Sequence, residues 1–253
     1  MKIALIGYGK MGHMIEEIAL QRGHEIVARI EPNPDPSLKG REIYTPEEGF
    51  QSEAFRSADV AIEFTTPQTA KENILRAWAQ GVPVVSGTTG WKAEELRDES
   101  LELREVESKK LIVDSKTGKT MLVWSSNFSV GVNIFFGLNK YLAEAISNQQ
   151  SAISYTPSIT EIHHIHKLDK PSGTAKTLCE QIQNLKIRKF EDLKIESIRE
   201  GEVPGTHEVK WDSEEDTIII THIAKGRRGF ALGAILAAED ILKEKNIFCI
   251  GQK

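Results

Sequence analysis

Lys2-Ile3-Ala4-Leu5-Ile6-Gly7-Tyr8-Gly9-Lys10-Met11-Gly12 begins as a short apolar run and turns on glycines into the amphipathic stretch Met11–Arg22. The pattern G-x-G-x-x-G placed between a strand and a helix has a physical use. Gly7 allows the tight turn, Gly9 lets backbone approach a pyrophosphate, and Gly12 lets helix and strand pack closely. The unpaired N–H groups at the helix start then face the phosphates. The stretch Glu25–Ile30 reads as a second strand and ends at Glu31, 19 residues past Gly12. A carboxylate there can accept hydrogen bonds from a ribose diol. A plain turn followed by an exposed acid is the blander alternative, and the strand–helix–strand setting favours the nucleotide.

The same rhythm continues outward. Val60–Phe64 reads as a strand, 68–80 as a helix and Val82–Ser86 as a strand ending in the turn Gly87-Thr88-Thr89-Gly90; Trp91–Glu107 is charged and helix-like, and Met121–Trp124 is a further strand. Alternating strands and helices predict a parallel sheet with right-handed crossovers. After Phe128 the pattern changes. Val132–Ile146 has the spacing of one long helix, Ile153–Ile162 alternates with period two, and Ala175–Leu185 reads as helical. Glu208–Trp211 and Thr217–Ile223 read as strands with no helix between them, which suits an antiparallel or mixed sheet, and Phe230–Lys245 as a terminal helix. Asn33–Ser37 reads as a local turn.

The length of 253 residues suits one large or two modest domains. Lys and Arg total 32 against 37 Asp and Glu, a net charge of −5, which leaves no global electrostatic footprint for nucleic acid or an anionic membrane. Hydrophobic residues at 40% and charged residues at 27% exclude wholesale disorder. The apolar run Phe230–Ala238 is far below the roughly 18 residues of a membrane span. Met1-Lys2 leads directly into an apolar strand, so no signal peptide is expected. Cys179 and Cys249 form no C-x-x-C pair, and reduced thiols in the cytoplasm are the expectation.

The densest chemistry lies in Glu161-Ile162-His163-His164-Ile165-His166-Lys167-Leu168-Asp169-Lys170-Pro171-Ser172-Gly173-Thr174-Ala175. Three histidines in four positions invite zinc, but H-E-x-x-H on a helix is lacking and Pro171 and Gly173 make a strand–loop–helix segment, so no metal is expected. An acid–base and anion site fits better. Histidine titrates near neutrality, Lys167 supplies a compact cation or a proton, and the amides of Gly173 and Thr174 at a helix start can hold a carboxylate. Gly87-Thr88-Thr89 and Ser125-Ser126-Asn127-Phe128 end probable strands, where ligand loops lie in doubly wound folds; a turn and a helix cap explain them equally well. Lys225-Gly226-Arg227-Arg228 reads as a solvated cationic loop unless the fold carries it to a pocket.

Taken together, these residues resemble the dihydrodipicolinate reductase (4-hydroxy-tetrahydrodipicolinate reductase) family of lysine and diaminopimelate biosynthesis. The G-x-G-x-x-G, the G-T-T turn, S-N-F-S-V-G-V-N, E-x-H-H-x-x-K-x-D-x-P-S-G-T-A, Arg199–Gly201 and R-x-x-F-A-x-G-A from Arg227 to Ala234 occur in the family's order, across nearly the whole chain. Lys170 stands where the family usually has Ala, and Pro32 follows Glu31 where some members have Arg. The resemblance implies an α/β fold, with a Rossmann-like parallel-sheet nucleotide domain over 1–126 and 227–253. A mixed α+β substrate and oligomerisation domain would be inserted over 127–226, in a cytoplasmic homotetramer. It implies His163 as catalytic histidine and Lys167 as proton donor. It implies substrate binding by His164, Gly173 and Thr174, and cofactor binding by Gly7, Tyr8, Gly9, Lys10, Met11, Gly12, Glu31, Gly87, Thr88, Thr89, Ser125, Ser126, Asn127 and Phe128.

The implied reaction is nicotinamide-dependent reduction of a cyclic dicarboxylate, with a protein acid meeting the basicity that hydride arrival creates. The charge of Glu31 would repel a 2′-phosphate, and Pro32 adds no cation or amide to offset it. Arg29 lies on the same strand, and Lys10 or Arg41 can supply a cation from a loop, so both NADH and NADPH are expected, with NADH preferred. Two other readings stay open. A non-catalytic NAD(H)-sensing protein leaves the His-His-Lys cluster unexplained. An aspartate dehydrogenase-like enzyme should lack the K-x-D-x-P-S-G-T arrangement.

Overall fold

In a computed structural model, the residues described are 1–35, 42–91, 96, 101–106, 109–114, 121–148, 154–184 and 193–242. Arg41, Ile153, Leu185, Cys249, residues 36–37 of the expected turn and 243–245 of the expected last helix lie outside them. The chain forms two units, one from Met1–Ser129 with the segment from Phe230, the other Val130–Gly229.

The first unit contains β1 (Lys2–Ile6), α1 (Lys10–Gln21), β2 (Glu25–Ile30), β3 (Ile43–Tyr44), α2 (Pro46–Gly49), α3 (Glu53–Arg56), β4 (Val60–Glu63), α4 (Pro67–Ala79), β5 (Val84–Ser86), β6 (Leu101–Val106), β7 (Lys109–Asp114) and β8 (Met121–Ser125). Its sheet runs β3-β2-β1-β4-β5-β8-β7-β6, with the first six strands parallel and the β6–β7 hairpin antiparallel on the end. Residues 101–106, expected to continue a helix, are therefore the edge strand β6. Leu101-Glu102-Leu103-Arg104-Glu105-Val106 carries charge on three of six positions, as edge strands do to discourage further pairing. The rest of the misread helix, 92–95, 97–100 and 107, lies outside the described residues.

Every residue of β1 after Lys2 is buried, and alternation sends Ile3 and Leu5 to one core and Ala4 and Ile6 to the other. The first core takes Ile15, Ile18 and Ala19 of α1 and Ala234, Ile235 and Ala238 from the chain's last described helix; the second takes Ile74 and Ala77 of α4. Strand order reverses about β1, which lies between β2 and β4. That is the switch point at which open α/β sheets bind ligands, outside the carboxyl ends of the strands.

The second unit holds α5 (Val130–Asn148), β9 (Thr156–His163), α6 (Gly173–Gln183), β10 (Ile195–Arg199), β11 (Thr206–Asp212) and β12 (Thr217–Ile223); α7 (Arg228–Leu242) follows. Its sheet is mixed, β10-β9-β11-β12, with β10 parallel to β9 and β11 antiparallel to both neighbours. One face packs Ile159, Val209 and Trp211 against Val132, Phe135 and Phe136 of α5 and Leu178 and Ile182 of α6. That face changes character along its length. Pro157 pairs with Trp211 and Ile159 with Val209, but the next buried rung pairs Glu161 with His207. Among the described residues no helix is long and apolar enough to cross a membrane.

Candidate active site

In the first unit the glycine-rich turn is fixed by what a side chain would strike. Gly7 has φ +90°, and a Cβ there would stand 2.1 Å from the Phe64 carbonyl oxygen; one on Gly12 would stand 2.5 Å from that of Gly7. Gly9 differs, with open space where its Cβ would be. It caps α1 with no side-chain hydrogen bond, so the helix's first-turn amides are left to a ligand. This cradle fits a dinucleotide pyrophosphate. Glu31, half-buried, accepts the Tyr8 amide at 3.0 Å and so sits against the turn. Lys10 is exposed and Met11 half-buried. The Tyr8 ring points inward instead: its hydroxyl donates to Glu16, which pairs with the buried Arg29 at 2.5 Å. Arg29 is therefore engaged beneath the turn, with its guanidinium 5.6 Å from the Tyr8 ring centre.

The G-T-T turn is joined to the loop after β4 through Glu63, which no motif singled out. Glu63 is wholly buried and accepts from Ser86 Oγ at 2.5 Å, Thr88 Oγ1 at 2.8 Å, the Thr65 amide at 3.0 Å and the Thr65 hydroxyl. Burial pushes its carboxyl up, against the pull of these donors. The Thr88 carbonyl accepts from the indoles of Trp91 and Trp124, each at 2.8 Å, while Thr89 stays exposed. A Cβ on Gly87 would strike the Phe64 ring at 2.2 Å. Ser125 Oγ accepts the Asn127 amide at 3.2 Å, and Asn127 Oδ1 that of Ser129 at 2.9 Å, so this loop is self-bonded. Ser126 is half-buried, and Phe128 is buried with its carbonyl against Gly233 of α7.

In the second unit His163 ends β9, and the loop to α6 carries the other expected residues. Glu161, two positions earlier on the same face, is wholly buried and accepts the Ser172 amide on both oxygens at 3.1 Å and Arg199 Nη2 at 3.2 Å. Although burial opposes ionisation, the facing His163 and these donors hold its carboxyl well below the usual carboxylate range. His163 Nε2 lies 3.6 Å from Glu161 Oε2 and 3.3 Å from Nε2 of His207. Burial first, then His163, pushes His207 down to about 3, so it is neutral. Arg199 also donates to the carbonyls of Lys167 at 3.3 Å and Asp169 at 2.5 Å, which ties down the loop that presents Lys167. Lys167 Nζ pairs with Asp169 at 2.6 Å. Ser172 caps α6 by accepting the Ala175 amide, leaving Gly173 and Thr174 as the helix's first residues. His164 Nδ1 is buried with no hydrogen-bond partner among the described residues, and burial lowers its basicity.

The three sequence-adjacent histidines do not converge. His166 is exposed and 3.3 Å from Glu202, while His163 turns to the interior. Among the described residues, the potential metal ligands that do gather are Glu161, His163 and His207. Their carboxylate already serves Ser172 and the Arg199 cation, which suits a proton better than a divalent ion. His207, Arg199 and Glu63 were missed as functional residues. Cross-strand pairing with Glu161 is the only signal that could have flagged His207, and it is invisible before the register is known.

One unit carries a switch-point glycine turn with an anion cradle and the other carries buried acid–base groups, the equipment of a nucleotide-dependent oxidoreductase. The sequence model of dihydrodipicolinate reductase, N-terminus, matches residues 1–128, and that of its C-terminus matches 131–252. The chain thus belongs to the dihydrodipicolinate reductase family, whose chemistry is a step of lysine and diaminopimelate biosynthesis, and it uses a nicotinamide cofactor. A 4-hydroxy-tetrahydrodipicolinate reductase of Christiangramia forsetii is 41% identical, covering 98% of this chain and 95% of the relative. One of Staphylococcus aureus is 34% identical, covering 98% of each. The solved dipicolinate-bound dihydrodipicolinate reductase of Paenisporosarcina sp. TG-14 shares the fold, with a TM-score of 0.69 at 20% identity over 96% of this chain and 94% of that one.

Proposed function

We propose that this protein reduces 4-hydroxy-tetrahydrodipicolinate to tetrahydrodipicolinate, with His163 and Lys167 as its proton-handling groups. The observation that carries the assignment is the buried Glu161–His163–His207 cluster leading into the Lys167 loop. The bound nicotinamide supplies the hydride. The 4-hydroxyl leaves as water, and the protein's part is to bind the two substrate carboxylates and to return a proton as the ring nitrogen gains basicity when the hydride arrives. The amides of Gly173 and Thr174 at the α6 N-terminus, with the His164 ring, bind carboxylate. Lys167 can leave exposed Asp169 for a substrate, since such a surface pair is worth about 1 kcal/mol or less.

The roles of Gly7–Gly12, Glu31, Gly87–Thr89 and Ser125–Phe128 in cofactor binding belong to this reading, as does a substrate domain over 127–226. So do a cytoplasmic homotetramer and a site that works without metal. NADH is preferred. Glu31 repels a 2′-phosphate and Arg29 is already paired to Glu16, while exposed Lys10 keeps NADPH usable. The test is a coupled assay in which a synthase makes the substrate from pyruvate and aspartate semialdehyde. Lys167→Ala and His163→Ala should each lower kcat by roughly 10²–10⁴-fold with nucleotide affinity unchanged. Wild-type turnover in both would overturn the assignment.

A further inference from the structure

One member of the buried cluster at His163 is given no task of its own in the reading above: His207. Its Nε2 lies 3.3 Å from His163 Nε2, the two rings meet nearly edge to face at 5.0 Å and 71°, and Ser172 Oγ is 3.2 Å from the same His207 nitrogen. Two nitrogens that face each other in this way share one hydrogen, so one ring must donate and the other accept. The distances to Glu161 Oε2, 3.6 Å from His163 and 3.7 Å from His207, do not decide between them.

The surroundings do decide. His207 is only 4% exposed in the middle of the sheet, and Ser172 Oγ, which already accepts the Ala175 amide at 3.2 Å, has its own hydrogen to give to His207 Nε2 3.2 Å away, which makes that nitrogen the acceptor. His163 stands where β9 gives way to the loop. Glu161 is held by the Ser172 amide and by Arg199, so it remains an anion that favours a cation on this pair without taking the proton itself. Gly205, with φ +150°, packs its backbone on the Cε1 edge of the His163 ring: a Cβ there would lie 2.9 Å from Cε1, 3.2 Å from Nδ1 and 3.9 Å from Nε2, so the glycine leaves Nδ1 room that a side chain would take.

We propose that His207 is a positioning residue that accepts the Nε2–H of His163, so that His163 holds and releases its exchangeable proton at Nδ1. This rests on the reading of His163 as a proton-handling group and adds the atom and the partner that orients it. An imidazole whose second nitrogen is committed to a fixed acceptor has one tautomer in its neutral form and one site left for chemistry.

The experiment uses the full-length enzyme with ¹⁵N-labelled histidine. Imidazole ¹⁵N–¹H correlation spectra assign the tautomer of His163, and the coupled assay gives kcat and KM. In the wild type the neutral His163 should carry its hydrogen on Nε2; hydrogen on Nδ1 overturns the proposal even if no variant folds. His207→Phe keeps a ring but offers no acceptor. It should lower kcat by roughly tenfold or more and let His163 populate the Nδ1–H form, with the KM for nucleotide unchanged. His207→Gln returns an acceptor and should recover most of both. Equal losses in Phe and Gln variants with an unaltered tautomer would show a merely structural role and overturn it. His163→Asn separates the two levels. If it turns over normally, the reading of His163 itself fails; if it is inactive while His207→Phe is not, only the positioning role fails.

Discussion

Acid should destabilise the second unit through His207, and the size of the effect follows from its burial. The ring is 4% exposed and titrates near 3 in the folded chain, against 6.5 when unfolded. Between those values the unfolded chain binds a proton that the folded chain does not, so stability falls as pH falls. At about 1.4 kcal/mol per pH unit, lowering the pH from 6.5 to 5 removes roughly 2 kcal/mol through this one group. Glu161, whose carboxyl is held low, acts in the same direction, but only below its unfolded value near 4.5, so between pH 6.5 and 5 the loss from His207 stands clear of it. The measurement is urea unfolding from pH 8 to 4, comparing wild type with His207→Phe and His207→Gln. Because His164 and His222 are also held low, the difference between the curves isolates His207. The variants should lose about 2 kcal/mol less than wild type between pH 6.5 and 5. Parallel curves over that interval would refute a neutral, buried His207.

Three further outcomes are expected. Measured at equal low salt, kcat/KM should favour NADH over NADPH, and Glu31→Ala should narrow the ratio; a clear NADPH preference in the wild type would mean that a loop cation overrides Glu31. Gly233→Ala should destabilise the first unit by about 1–3 kcal/mol or more, because its Cβ would lie 1.7 Å from the Phe128 carbonyl oxygen and backbone cannot yield as a side-chain end does; an unchanged melting temperature would contradict that packing. Activity should survive exhaustive chelation, and loss restored by zinc would assign the Glu161–His163–His207 cluster to a metal.

Much of this was legible in the sequence where the cause is local. The β1 run, its glycines and Glu31 lie within about thirty residues, and Gly12 is demanded by the carbonyl of Gly7 five positions earlier. The period-two alternation of β9 and the cap residue Ser172 were equally readable. The β6–β7 hairpin was not. Its charged edge strand has the composition of an exposed helix face, and only pairing with β8 through β7 makes it a strand. The short β10 strand was missed for a similar reason, and with it the hold of Arg199 on the Lys167 loop. In the candidate site, the motif singled out His163, His164 and Lys167 but not the groups packed around them. Glu161 and His207 are 46 positions apart and meet only because β11 folds back antiparallel on β9.

The Thr88 carbonyl has a spectroscopic consequence. It binds two indole N–H groups at once, and the rings of Trp91 and Trp124 cross at 82° with centres 6.4 Å apart, close enough to exchange excitation. Trp78 donates to the Met121 carbonyl at the start of β8, while Trp211 is wholly buried in the other unit. The G-T-T turn therefore carries its own fluorophore pair, whose emission answers to the polarity and geometry at one carbonyl oxygen. A ligand that shifts this turn changes the colour and yield of the protein's light without any label, and replacing Trp91 and Trp124 by Phe in turn tells which ring reports it.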